Sequence, residues 1–234
     1  MIEDFLNFMK VRSFENGGVY FIDKESGSNF AKDICKDLNP IHNVESKKFI
    51  MLGDFLFALY VNEYGFPKNR EVIFKNPIKI NSLENSGLEV IVSKEGIFVG
   101  NQKKVESSVE DFLFFDESLL LQYCEISGSL FPDKLWGVFE SSGLMPNFKR
   151  GIVMYTGVNF GFNFNLDSLY GDIELDLDNV DYEIVSNRLF LKANVKVDLN
   201  GENVGSICKN LVCLGCVDYN KEKFDFLVEN YRFK

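Results

Sequence analysis

The most constraining feature of the sequence is a helix that is apolar on every side. The segment Phe55–Val61 reads Phe-Leu-Phe-Ala-Leu-Tyr-Val, and it lies between a start near Gly53 and a break at Tyr64–Pro67. A helix without a polar stripe must be enclosed by other elements over nearly all of its surface. With 234 residues, the chain can build that enclosure without a metal ion or a disulfide.

The clearest strand patterns lie in the C-terminal half of the chain. Apolar and polar residues alternate from Leu189 to Leu199, which predicts a strand with one buried face. Asn200-Gly201 predicts a type I′ hairpin turn, with Val204–Val217 as the return strand. After Asn179 the apolar register shifts by one residue, which indicates a β-bulge.

The order of helices followed by strands recurs in the two halves of the chain. We therefore predict an α+β fold of two units, residues 1–113 and residues 114–234. Each unit is expected to wrap a buried helix in an antiparallel sheet.

Charge and composition exclude several function classes. The chain has 25 Lys and Arg and 35 Asp and Glu, which gives a net charge of −10. Nucleic acids and anionic membranes select basic surfaces, so neither is an expected partner. The sequence contains no apolar run of about 20 residues and does not begin like a signal peptide. Five cysteines, an odd number, are consistent with reduced thiols, and a cytoplasmic location is predicted.

A short segment before the apolar helix contains the residue types that acid–base catalysis needs. Asp37, Asn39, Pro40 and His42 form the pattern Asp-x-Asn-Pro-x-His, and His42 is the only histidine. Asn39 and Pro40 favour a turn, which would bring the side chains of Asp37 and His42 together. A carboxylate and an imidazole directed at one water molecule form a general acid–base pair. A purely structural hydrogen bond between them is the alternative interpretation.

This pattern resembles the signature of the MaoC-like, or (R)-specific enoyl-CoA hydratase, family of hot dog proteins. In that family the central helix also begins at a glycine soon after the histidine, here Gly53. Residues 15–112 carry the resemblance, and the second half resembles a hot dog unit only in its strand pattern. The resemblance implies a double hot dog fold.

The resemblance also implies a reaction. A trans-2-enoyl thioester of coenzyme A or of an acyl carrier protein would add water and give a (3R)-hydroxyacyl thioester, without a cofactor or a metal. Asp37 and His42 would activate the water, Asn39 and Pro40 would support the motif, and the backbone N–H of Gly53 would hold the thioester carbonyl. The partner would be this small molecule, and the chain would be a monomer or a homodimer.

The sequence departs from the family pattern at four positions. Lys36 replaces a glycine, Val44 an Asp or Asn, and Leu52 a proline, while Asp54 adds a carboxylate beside the expected carbonyl site. Three alternatives therefore remain open. They are an acyl-thioester-binding module without turnover, a thioesterase or dehydratase on the same fold, and an acidic interaction protein.

Other patterns favour structural roles. Cys213 and Cys216 suggest a redox or zinc site, but residues three apart on one strand face opposite sides, so two separate buried thiols are predicted. Four alternating acidic residues are expected to form a solvated strand face: Asp172, Glu174, Asp176 and Asp178. Three phenylalanines are expected to pack in the core, with an acyl pocket as the alternative: Phe160, Phe162 and Phe164.

Overall fold

The computed structural model describes residues 2–37, 39–47, 49–68, 71–75, 77–80, 87–107, 112, 116–130, 134–147, 152–162 and 172–232. Six α-helices lie in these ranges: α1 (Ile2–Phe8), α2 (Lys24–Asn29), α3 (Gly53–Tyr64), α4 (Glu117–Ser129), α5 (Trp136–Ser142) and α6 (Lys221–Arg232). A π-helical turn at Phe30–Ile34 continues α2, and a 3-10 turn at Pro40–His42 precedes α3. In the described part of the chain, no helix is both long and apolar enough to cross a membrane.

The strands of the described ranges are β1 (Lys10–Phe14), β2 (Gly17–Ile22), β3 (Glu71–Phe74), β4 (Leu88–Ser93), β5 (Gly96–Val99), β6 (Gln102–Ser107), β7 (Leu144–Pro146), β8 (Ile152–Phe162), β9 (Ile173–Val185), β10 (Arg188–Leu199), β11 (Glu202–Leu214) and β12 (Cys216–Asp218). Ten of them form one antiparallel sheet in the order β1-β2-β4-β5-β6-β3-β8-β11-β10-β9. β7 and β12 pair separately.

This sheet shows that the double hot dog prediction is wrong. Two sheets that each wrap a helix were expected, whereas one ten-stranded sheet runs through both halves of the chain. Val72 of β3 pairs with Val158 of β8 and thereby joins the halves, and α4 packs against both α3 and β9. Alternation predicts that a segment is a strand, but it does not predict which strand becomes its neighbour. The unit boundary after residue 113 stays a prediction.

Helix α3 lies in the main core, as its apolar sequence predicts. Every residue from Asp54 to Val61 is buried. The ring of Phe55 lies 4.7 Å from that of Phe30, and Phe57 stacks on Phe160 at 5.3 Å between ring centroids. Full burial of one such side chain contributes roughly 1.5–3 kcal/mol to stability. The helix thus holds the elements around it in place.

The C-terminal hairpin confirms two local predictions. Asn200 and Gly201 have φ angles of 53° and 81°, as a type I′ turn requires. The bulge also occurs, because the partner on β9 changes from Asn179 to Leu177 between consecutive residues of β10. A second, smaller core is formed where this hairpin meets α5 and α6, and it includes Leu135, Phe139, Leu189, Leu191, Cys213 and Phe224.

Candidate active site

The segment between α2 and α3 brings Asp37 and His42 together. The distance between Asp37 Oδ2 and His42 Nε2 is 3.5 Å. Lys36 has a φ of 56°, and directly after it Asp37 N donates a hydrogen bond to Ala31 O at 2.8 Å. Lys36 therefore adopts the left-handed conformation that glycine favours, which accounts for a glycine at this position in the pattern that the segment resembles.

Backbone groups hold both side chains. Asn39 N donates a hydrogen bond to Asp37 Oδ1 at 2.7 Å, and Asn39 Oδ1 accepts one from Ile41 N at 3.1 Å. His42 Nδ1 lies 2.6 Å from Ile50 O, so Nδ1 carries a hydrogen and donates it. These hydrogen bonds use Asp37 Oδ1 and His42 Nδ1, and they leave Asp37 Oδ2 and His42 Nε2 facing each other.

Lys32 binds the backbone of the segment that carries Asp37 and His42. Its Nζ donates hydrogen bonds to the carbonyl oxygens of Asp37 and Asn39 at 2.7 and 2.8 Å. Burial lowers the pKa of Lys32, and the charge of Asp37 partly opposes that change. The ammonium group therefore serves to fix the backbone of the motif.

The protonation of the pair follows from its burial. Loss of water raises the pKa of Asp37 and lowers the pKa of His42, because it disfavours the charged form of each group. Their mutual attraction opposes both changes, lowering the pKa of Asp37 and raising that of His42. Burial therefore favours the neutral form of each group, and their mutual attraction favours the charged form of each.

Asp37 and His42 line a cavity of about 130 Å³. Gly53 and Leu56 at the start of α3 line it, and so do residues 153–156 of β8. Phe74 and Ile78 add apolar surface. Two lysines also line it: Lys75, which pairs with Glu106 at 2.5 Å, and Lys104, which donates to Gln102 at 2.7 Å. The cavity combines apolar walls with an acid–base pair.

Gly53 is the first residue of α3 and lies in the cavity wall. The N–H groups of a first helical turn have no acceptor within the helix, so they suit an oxygen that gains negative charge. A Cβ at Gly53 would lie 3.5 Å from the ring of Phe74, which is an ordinary contact. Packing alone therefore does not require glycine at this position.

Asp54 does not lie beside the cavity wall as the sequence suggested, but inside the core. Its carboxylate is fully buried and forms an ion pair with Lys209. Oδ1 also accepts a hydrogen bond from the Tyr123 hydroxyl at 3.0 Å, and Oδ2 accepts one from Ser127 Oγ at 2.5 Å. Both carboxylate oxygens are satisfied, so Asp54 does not repel charge at the start of α3.

The sequence analysis missed Lys209, the partner of Asp54. Its Nζ lies 3.6 Å from the ring centroid of Tyr155, and that ring also lines the cavity. The Tyr155 hydroxyl donates to Ser127 O at 3.0 Å, so one tyrosine separates the two acid–base pairs. A signal was present, because Lys209 occupies an inward position of β11 between the buried residues Ile207 and Leu211.

Both pairs lie within one family match. A family model described as "Protein of unknown function (DUF3581)" matches residues 8–222. The chain belongs to this family. No curated protein and no solved structure matches the chain. The matched range includes Asp37, His42 and Lys209, and the chemistry of the site must therefore be argued from its geometry.

The two cysteines predicted to lie apart are neighbours. Cys213 Sγ and Cys216 Sγ are 3.2 Å apart, because β11 ends at Leu214 and Gly215, with a φ of 67°, turns the chain. The prediction that they face opposite sides of one strand is wrong, because the turn at Gly215 lies between them. Among the described residues, no group of three or more His, Cys, Asp or Glu side chains could hold a metal ion.

The remaining predicted residues have structural surroundings. Phe160 and Phe162 are buried in the main core, and Phe164 lies outside the described residues. The alternating acidic residues are exposed, as predicted for a solvated face: Asp172, Glu174, Asp176 and Asp178.

Proposed function

We propose that the protein hydrates a trans-2-enoyl thioester to a (3R)-hydroxyacyl thioester at the Asp37–His42 pair. The observation that carries the proposal is the 3.5 Å approach of Asp37 Oδ2 and His42 Nε2 in the wall of a largely apolar cavity. A water molecule placed about 3 Å from each of these two atoms would be within hydrogen-bonding distance of both. The resemblance around Asp37–His42 supports the substrate class and the stereochemistry.

In the proposed reaction the pair takes one proton from water and gives one proton to C2, so its protonation state is unchanged at the end. As the water oxygen forms a bond to C3 of the enoyl group, the pair removes one proton from the water. The electrons of the C2=C3 bond move towards the carbonyl and give an enolate, and C2 then takes up a proton from the pair. N–H groups at the start of α3, Gly53 among them, stabilise the enolate oxygen.

The reaction uses water and the thioester alone, so the proposal includes no cofactor. Coenzyme A and an acyl carrier protein both present such a thioester. We propose a cytoplasmic location, supported by the odd number of cysteines, which is consistent with reduced thiols. A monomer or a homodimer is the expected assembly.

The test is an enoyl hydration assay with matched variants. Crotonyl-CoA and longer trans-2-enoyl-CoAs are incubated with the protein, and the loss of the conjugated double bond is followed. Asp37→Asn and His42→Gln are each expected to lower kcat roughly 10²–10⁴-fold, the usual contribution of an acid–base group. Asp33→Asn makes the same chemical change on an exposed residue of the π-helical turn and is expected to retain full activity.

Three results would contradict the proposal. The first is no hydration of any chain length by the wild-type protein, and the second is full activity of Asp37→Asn. The third is release of free coenzyme A thiol in place of hydration, which indicates a thioesterase.

Binding without turnover is the second candidate function. The near-complete burial of Asp37 and His42, which are 5% and 7% exposed, favours it. Thermal stabilisation by an acyl-CoA without any product would support that candidate.

A further inference from the structure

A pair of thiols lies at the junction between the main sheet and the second core. Cys213 is near the end of β11 and Cys216 begins β12, with the Gly215 turn between them. Their Sγ atoms are 3.2 Å apart, and Cys216 Sγ also lies 3.4 Å from Cys213 O. A disulfide bond requires about 2.05 Å between sulfurs, so a small side-chain movement would join them.

The backbone on both sides of the turn is fixed. Cys216 N donates a hydrogen bond to Asn187 O at 2.9 Å, and Cys216 pairs with Pro146 of β7. Cys213 is paired within the main sheet with Leu189 on one side and Val153 on the other. The closeness of the sulfurs is therefore built into the strand pairing.

The two thiols differ in accessibility and acidity. Cys213 is fully buried, whereas Cys216 retains 7% exposure. A hydrogen bond between the sulfurs lowers the pKa of Cys216 and raises the pKa of Cys213. Cys216 is thus the cysteine that a soluble disulfide can reach first, and it reacts as the thiolate.

We propose that Cys213 and Cys216 are a redox-active dithiol that a low-molecular-weight disulfide of the glutathione type oxidises to an intramolecular disulfide. The Cys216 thiolate attacks one sulfur of glutathione disulfide, forms a mixed disulfide and releases one glutathione thiolate. Cys213 gives its proton to the released glutathione thiolate and attacks Cys216 Sγ, which releases the second glutathione as a thiolate that takes a proton from the solvent. The two cysteines lose two electrons, and one glutathione disulfide becomes two glutathione molecules.

The position of this dithiol links it to the candidate cavity. Val153, the cross-strand partner of Cys213, lies in the cavity wall. Oxidation would therefore act on the strand pair that carries this wall. The proposal itself concerns only the thiol chemistry, and it stands or fails independently of the hydratase proposal.

The test measures the two thiols in the native protein. The protein is equilibrated in buffers with increasing ratios of glutathione disulfide to glutathione, quenched in acid, alkylated and digested with trypsin. Cleavage after Lys209 and Lys221 releases residues 210–221, which contain Cys213 and Cys216 and no other cysteine. We expect this peptide to change from the doubly alkylated form to a form without alkyl groups. The mass of that form is lower by two hydrogens than the mass of the reduced, unalkylated peptide.

Variants show whether both sulfurs are needed. Cys216→Ser and, in case serine disturbs folding, Cys216→Ala are each expected to lower the oxidation of Cys213 at least about tenfold. Cys208→Ser, which alters a thiol in the neighbouring tryptic peptide, is expected to leave the oxidation of residues 210–221 unchanged. A wild-type peptide that stays doubly alkylated at every ratio, or that carries glutathione on Cys216 without closing the bond, would overturn the proposal.

Discussion

Two buried acid–base pairs lie near Tyr155, and they differ in what their polar atoms contact. In the Asp37–His42 pair, backbone groups hold Oδ1 and Nδ1, while Oδ2 and Nε2 face each other beside a cavity. In the Asp54–Lys209 pair, both carboxylate oxygens are bonded to side chains in the core. Burial is nearly the same in both pairs. What distinguishes the candidate for chemistry from the structural pair is whether polar atoms of the pair remain without a hydrogen bond to the surrounding protein.

The largest effect is expected from removing the cation of the structural pair. Lys209→Met would leave Asp54 buried without its charge partner, and such a loss costs about 3–5 kcal/mol. The free energy of unfolding in urea, followed by the fluorescence of the single tryptophan, measures it. The double variant Lys209→Met/Asp54→Leu, which removes both charges, is expected to recover at least half of the loss. A loss below about 1 kcal/mol in Lys209→Met would show that Lys209 and Asp54 stabilise the fold no more than a surface ion pair does. The description of Asp54–Lys209 as the structural pair would then be wrong.

An intermediate effect is expected where α4 meets the segment that carries Asp37 and His42. A Cβ at Gly128 would lie 1.8 Å from Cys35 O, a backbone atom two residues before Asp37. Gly128→Ala should therefore displace this loop, lower the free energy of unfolding by about 1–3 kcal/mol and reduce enoyl hydration.

Gly137→Ala in α5 is the matched control, because its Cβ would meet nothing within 4 Å. It is expected to retain hydration activity and to raise stability by about 0.5–1 kcal/mol through helix propensity. Equal behaviour of the two alanine variants would show that the contact between Gly128 and Cys35 does not position the pair.

The smallest effect is a pH dependence that belongs to His42. Burial lowers the folded-state pKa of His42 below its ordinary 6.5, so its contribution to stability is full above that pH and is lost as the pH falls through the folded value. The raised pKa of Asp37 acts with the opposite sign, since its contribution is lost as the pH rises. Asp37→Asn removes that opposing contribution.

The measurement compares Asp37→Asn with Asp37→Asn/His42→Gln from about pH 7 to about pH 5. Across this range the variant that retains His42 is expected to lose more of its free energy of unfolding than the double variant. Parallel curves would mean that His42 is as well solvated in the folded protein as in the unfolded chain.

The sequence predicts local features of this fold better than its connections. The buried helix α3, the Asn200-Gly201 turn and the bulge near Asn179 each follow from a few neighbouring residues, and each is present. The pairing of β3 with β8 depends on residues far apart in the chain, and no local pattern encodes it. The single sheet therefore replaced the two expected sheets.

The candidate site shows the same division. Asp37 and His42 converge through a turn of six residues, which the motif predicts. Asp54 and Lys209 are 155 positions apart and meet only because the fold brings β11 to the start of α3. The inward lysine between Ile207 and Leu211 was a visible signal, since a lysine at a buried strand position needs a partner.

The outermost strand β9 has a consequence for behaviour at high concentration. A long strand at the end of a sheet offers its backbone to the same strand of another molecule, and such contacts lead to aggregation. On β9, Glu174, Asp176 and Asp178 project into solvent at alternate positions. Asp178 is paired with Lys196 at 2.7 Å. In two copies aligned along this strand, Glu174 and Asp176 would repel their counterparts, and acid or concentrated salt would weaken that repulsion.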